Sequence, residues 1–175
     1  NYALDALTSG DANVAIGYDA GSSINTGSAN TTVGVYSLDA TTSGDSNTAL
    51  GYFALSANTT ASSNTGIGRS ALQANTTGAE NTAVGKGALA NNTTAAQNTA
   101  IGREALFTNT TGANNVAVGS AALYTNNGAQ NTAIGRSAMI NNTTGAGNVA
   151  TGYQALTANT TADDNVAVGY QSLLA

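Results

Sequence analysis

Cysteine and histidine are both absent from this chain of 175 residues. Their absence excludes disulfides, thiolate chemistry, the usual zinc sites and the commonest general base. Tryptophan is missing too. With only seven Tyr, two Phe and one Met, the 41% of hydrophobic residues is carried mainly by alanine, which argues against an ordinary core of large side chains. Charge is scarce: four basic against nine acidic residues leave a net charge of -5. No basic surface is available to neutralise a run of phosphates, so nucleic acid is excluded as an expected partner. No apolar run approaches the roughly 20 residues that span a bilayer as a helix, so no membrane contact is expected within this segment. No leader pattern is present, and a chain that begins at Asn1 instead of Met reads as a processed or excerpted piece.

What the chain does have is a repeat. An Asn-x-x-aliphatic-Gly element starts at Asn13, Asn30, Asn47, Asn64, Asn81, Asn98, Asn115, Asn131, Asn148 and Asn165, every interval being 17 residues except the 16 after Asn115. Counting each repeat from its Asn as position one, position two is Val or Thr and position four is aliphatic in nine of ten repeats, Thr151 being the exception. Position five is Gly throughout: Gly17, Gly34, Gly51, Gly68, Gly85, Gly102, Gly119, Gly135, Gly152 and Gly169. Position nine is Leu in eight repeats, Met139 in one and Gly21 in another, after Ala or Ser at position eight. An N-T-T-G-like segment then leads to the next Asn, and partial repeats occupy residues 1–12 and 165–175 of what reads as a single repeat domain, 1–175.

Helix formers such as "REALF" span too few residues between Gly and N-T-T to make a helix, which is marginal below about 12 residues. A strand over positions two to four, ended by glycine, and a second short strand centred on position nine fit better. Such a unit cannot bury its own apolar face, so the units must stack. The expected fold is all-β: a parallel β-solenoid of about ten coils, rising about 4.8 Å each to a rod of about 48 Å. Positions two, four and nine are expected to fill its interior, with Ala at three and eight allowing close approach between chains.

The Asn column is expected either to form an amide ladder or to tolerate a left-handed turn. The Gly column is expected to supply positive φ or a close backbone contact. Asn30, Asn58, Asn75, Asn92, Asn109, Asn142 and Asn159 each head N-T-T. All but Asn30 are candidate glycan acceptors, or else one turn multiplied by the repeat. Position six carries Tyr18, Tyr52, Arg69, Lys86, Arg103, Arg136, Tyr153 and Tyr170, and so holds all four basic residues. This candidate ligand-facing column could grip an anionic or sugar ligand, or serve as a solvated face that blocks aggregation. Like charges on successive rungs repel unless they splay or pair with residues such as Glu80 and Glu104.

The strings "NVAIG" at 13–17 and "NVAVG" at 115–119 and 165–169 resemble the S-V-A-I-G signature of head-domain repeats in trimeric autotransporter adhesins. The longer "NTAIGREALFTNTTGANN" resembles arrays in bacterial surface proteins and phage tail fibres. The resemblance implies a left-handed parallel β-roll, three chains side by side, and a location outside the cell or on a cell or virion surface. This repeat is longer than the adhesin repeat, the extra length lying in the N-T-T-G segment.

The expected function is a non-enzymatic structural or adhesive fibre segment. Its partners would be further copies, as a homotrimer or an end-to-end filament, and a host-surface protein or glycan. Ice binding by Thr and Asn rows is an alternative, weakened by the expectation that position two points inward. A carbohydrate-binding or carbohydrate-processing tail-spike-like β-helix is a weaker one. The acids Asp11, Asp45 and Asp163 recur only at position sixteen of distant repeats, and the Asp163–Asp164 pair makes a poor dyad. No cofactor or metal is expected, since no calcium-binding G-G-x-G-x-D repeat occurs.

Overall fold

A computed structural model describes residues 2–174. Ten three-residue strands occupy positions two to four of the repeats: β1 (Val14–Ile16), β2 (Thr31–Val33), β3 (Thr48–Leu50), β4 (Thr65–Ile67), β5 (Thr82–Val84), β6 (Thr99–Ile101), β7 (Val116–Val118), β8 (Thr132–Ile134), β9 (Val149–Thr151) and β10 (Val166–Val168). They form one parallel sheet in sequence order, each strand pairing with the equivalent residues of the next. The chain is therefore an all-β parallel solenoid. Its ten strands span nine inter-strand steps, about 43 Å at the usual spacing.

The strand faces are reversed relative to the sequence expectation. Position three points inward: Ala49, Ala83, Ala100, Ala117, Ala133 and Ala150 are fully buried. Positions two and four point out, with Ile16, Leu50, Ile101 and Ile134 all at least 40% exposed. The coil is too thin for two β-branched columns. Its interior holds the methyls of positions three and eight and the Leu column from Leu38 to Leu156. The alanines thus line the inside of each coil and are not an inter-chain contact surface.

The second strand does not form. Position nine lies in the left-handed region, with φ of 53° at Leu55, 51° at Leu106 and 49° at Met139. A turn is closed by Ala105 N–H donating to the Gly102 carbonyl (3.3 Å) and Asn109 N–H to the Leu106 carbonyl (3.2 Å). The Leu106 N–H points along the axis to the Ala122 carbonyl of the next coil, at 3.0 Å. Left-handed backbone costs an L-residue about 1–2 kcal/mol, which burial of the leucine offsets. Positions seven, nine and seventeen all adopt positive φ, and none holds Val, Ile or Thr, the residues that tolerate it least.

Position five needs glycine on both counts foreseen. At Gly102 φ is +134°, and an added Cβ would lie 2.6 Å from the carbonyl of Gly119. The same contact recurs along the column.

Main-chain groups at the corner of each coil are satisfied by two asparagine columns. In the first, the Oδ1 of each position-one Asn accepts the backbone N–H of the next: Asn13 from Asn30 (3.0 Å), Asn98 from Asn115 (2.9 Å) and so on to Asn148 from Asn165 (2.9 Å). Several are doubled by Nδ2, as from Asn115 to Asn98 at 3.2 Å. This is an amide ladder. The second column is at position twelve: Asn75 Nδ2 donates to Asn58 Oδ1 (3.0 Å), Asn92 to Asn75 (2.7 Å) and Asn142 to Asn126 (2.7 Å). In five coils both columns converge on one carbonyl, whereas Asn64 and Asn98 turn their Nδ2 to the carbonyls of Ser62 and Ala96. Ala61 accepts from Asn47 at 2.9 Å and from Asn58 at 3.0 Å, and Gly145 accepts from Asn131 and Asn142, each at 2.8 Å.

Two irregular coils show how the columns are conserved physically. Where the repeat shortens at Asn126-Asn127-Gly128, β7 and β8 remain in register. The Asn127 side chain replaces a main-chain carbonyl, its Oδ1 accepting from Thr110 N–H at 2.8 Å and from the Thr110 hydroxyl at 2.9 Å. In the coil beginning at Asn13, Gly21 removes the leucine and Ile24 stands at position twelve. Ile24 is fully buried, and a Cβ at Gly21 would meet its Cδ1 at 2.8 Å. The isoleucine fills the space that the leucine vacates.

Two stability outcomes follow. Asn98→Ala should lower unfolding free energy by about 1–3 kcal/mol for each buried group left unpaired, whereas exposed Thr77→Ala should change it little, as read by chemical unfolding followed by circular dichroism. Gly21→Leu should destabilise by about 1–3 kcal/mol through overpacking, and adding Ile24→Asn should recover part of that loss; additive losses in the double variant would show that the two sites do not share space.

Candidate functional site

Three outward surfaces remain once the interior is assigned. The strand face presents position two, six Thr and four Val, beside the position-four column of Ile, Val and Leu. These rows run over ten strands, the position-four row interrupted at Thr151. Position two was expected inside, and its outward direction is the main correction to the site reading.

The second surface is the position-six column, which the structure does gather on one exposed line. Tyr18, Tyr52, Arg69, Lys86, Arg103, Arg136 and Tyr170 are all exposed, and Tyr153 is half-buried. The expected repulsion between cations is relieved individually. Arg69 leans over the Tyr52 ring (5.9 Å to its centroid) and Arg136 over the Tyr153 ring (5.7 Å). Arg103 pairs with Glu104 at 3.2 Å. Glu80 does not join the column: its Oε2 accepts from Gln97 Nε2 at 3.0 Å on another corner. Tyr153 and Tyr170 stack at 5.3 Å, close to the rung spacing.

The third surface follows the turn, at positions six, seven, ten and eleven. At one end Tyr36 and Phe53 stack at 5.1 Å, and further along Phe107 and Tyr124 stack at 5.2 Å. Between them lies an open groove of about 650 Å³, lined in part by Arg69, Lys86, Gly87 and Phe107. No sequence motif marks it; it exists because equivalent positions in adjacent coils differ in size.

The remaining candidates are absorbed by the scaffold. Asn58, Asn75, Asn92, Asn109 and Asn142 are fully buried, and their Nδ2 groups, where a glycan would attach, donate inside the coil. Asn159 is half-buried and likewise bonded, to the Asn142 Oδ1 at 2.8 Å. The recurring sequon is thus the second amide ladder, which sequence reading missed because N-T-T has the composition of a turn. Asp45 and Asp163 each accept a main-chain N–H from the preceding coil at 2.7 Å. Among the described residues no three His, Cys, Asp or Glu side chains come together to hold a metal, and no helix is long and apolar enough to cross a membrane. Comparison with protein-family models, curated proteins and solved structures finds no match.

Asp39, on the turn beside the aromatic cluster, has a buried Oδ1 without a partner. Burial pushes its pKa up, a bond to its own backbone pulls it down, and Asp19 pushes it up further. A carboxyl raised by folding favours the fold while protonated. Its contribution is full below the ordinary carboxylate value of about 3.9 and is lost as pH rises through the higher native value. Asp39→Asn should therefore raise the melting temperature at pH 7 and give no such gain at pH 3; an equal gain at both would show that ionisation is not the cause.

Proposed function

We propose that the chain is a segment of a non-enzymatic structural and adhesive fibre, outside the cell or on a cell or virion surface, in which solenoids associate side by side through their strand faces. The observation that carries this reading is the exposed position-four column. Ile16, Leu50, Ile67, Ile101 and Ile134 each show more than a third of their surface to solvent, on a strip that runs the length of the rod. An apolar strip of this kind, broken only at Thr151, is atypical of a free monomer surface. A second copy is the fitting occupant, because its columns have the same spacing of about 4.8 Å and its side chains interdigitate along the whole strip. Three copies, as the resemblance to trimeric adhesin repeats implies, would enclose that strip. Engagement of Asp45 and Asp163 as main-chain acceptors supports the non-enzymatic part.

The outward direction of position two also favours a second reading. Thr48, Thr65, Thr82 and Thr99 form a row beside Leu50, Ile67, Val84 and Ile101 on successive rungs, a flat lattice-like face of the kind ice binding requires.

Light scattering after size exclusion separates the two. The fibre reading expects a mass that is a multiple of 17.1 kDa. It also expects Ile101→Lys with Ile134→Lys to give a folded monomer with unchanged circular dichroism. A wild-type monomer at micromolar concentration, combined with thermal hysteresis and ice shaping, would favour the ice-binding face.

A further inference from the structure

We infer that the groove on the turn surface is a binding site for an acidic polysaccharide, one whose sugar rings carry carboxylates. The concavity has a specific origin. In the coil beginning at Asn81, positions seven and ten are Gly87 and Ala90, whereas the same columns carry Phe53 two coils earlier and Phe107 in the next coil. One missing and one minimal side chain leave a notch of about 650 Å³ against the half-exposed face of Phe107, a volume in the range that holds small ligands.

The chemistry around the notch is uneven in a way that selects a ligand. Arg69, Lys86 and Arg103 stand on three successive rungs, so three of the four cations of a chain with net charge -5 are gathered here. Glu104 also lines the groove, its carboxylate paired with Arg103 at 3.2 Å, while Arg69, leaning over the Tyr52 ring, and Lys86 line the groove with no carboxylate partner among the described residues. Two adjacent free cations suit carboxylates borne on a repeating chain. They are too few, on an acidic protein, to hold a nucleic acid backbone, whose affinity grows with the number of phosphates neutralised. The Phe107 face offers the C–H side of a sugar ring an apolar surface, and Gln73 and Asn91 present amides to its hydroxyls. The site belongs to positions six to eleven, apart from the strand face, and so does not depend on how many chains associate.

Affinity electrophoresis of the full chain in gels containing polygalacturonate, neutral dextran or oligo-dT tests the assignment. Retardation by polygalacturonate alone, weakened by added salt, is the expected result. Arg69→Gln with Lys86→Gln should weaken it at least ten-fold, while Thr77→Ala, exposed on the N-T-T-G corner outside the groove, should leave it unchanged. Gly87→Phe should abolish it by filling the notch. That variant keeps its fold because the column already accepts phenylalanine in the same backbone conformation, at Phe53 with φ of 56°. A Cβ at Gly87 meets nothing closer than Glu104 Cγ at 3.4 Å. Unchanged circular dichroism and melting temperature verify that the variants are folded. The assignment is overturned by no retardation in polygalacturonate, by equal retardation in dextran, by stronger retardation in oligo-dT, or by wild-type binding in the filled or uncharged variants.

Discussion

The amide of the position-one asparagine is the interaction on which the rest of the solenoid depends. A coil with so narrow an interior cannot bury enough hydrocarbon to tolerate unpaired main-chain groups at its corners, where an unsatisfied donor costs about 1–3 kcal/mol. Asparagine solves this because its side chain both accepts and donates within one short reach. Its Oδ1 takes the N–H of the next coil and its Nδ2 closes the corner of its own, as at Asn47 and Asn131. The position-twelve column repeats the device from the other side of the same carbonyl. A corner fixed twice sets the path of the chain between the two columns. Alanine at positions three and eight and a single leucine then suffice as filling.

From that constraint the outer surface follows. Because little more than a methyl group fits beneath the strand, with Thr32 the one larger side chain accommodated there, the β-branched residues that favour extended backbone are mostly displaced outward, and an apolar strip follows from a thin coil. Because the turn after the strand alternates right- and left-handed residues, positions six and seven project on neighbouring lines. Identical positions meet at about 4.8 Å, so aromatic pairs stack there without further design and a single small residue opens a notch.

Much of this was legible in the residues. The 17-residue spacing carried the stacking, the parallel register and the place of each observed strand, and the one 16-residue coil kept its columns aligned. The glycine column and the first Asn ladder were legible as alternatives, each with a physical reason. Less could be read where two features share one composition. N-T-T suits a turn, a glycan acceptor or a buried ladder equally, and only the burial of Asn75 and Asn92 distinguishes them. The leucine at position nine suits a strand by hydrophobicity, and its absence of β-branched substitutes was the one sign that its backbone is left-handed.

The sequence by itself determined that equal positions lie above one another, because a repeat whose units cannot bury their own faces has no other way to exclude water. It did not determine which side of a three-residue strand is the inside. Alternation defines two faces and leaves their assignment to the volume between opposite walls. That volume exists only in the closed coil, where at Gly66 the Leu55 Cγ and the Ala71 carbonyl already stand 3.2 Å from the place of a Cβ. The tertiary structure therefore decided that threonine and isoleucine face outward and that two small residues, Gly87 and Ala90, make a groove.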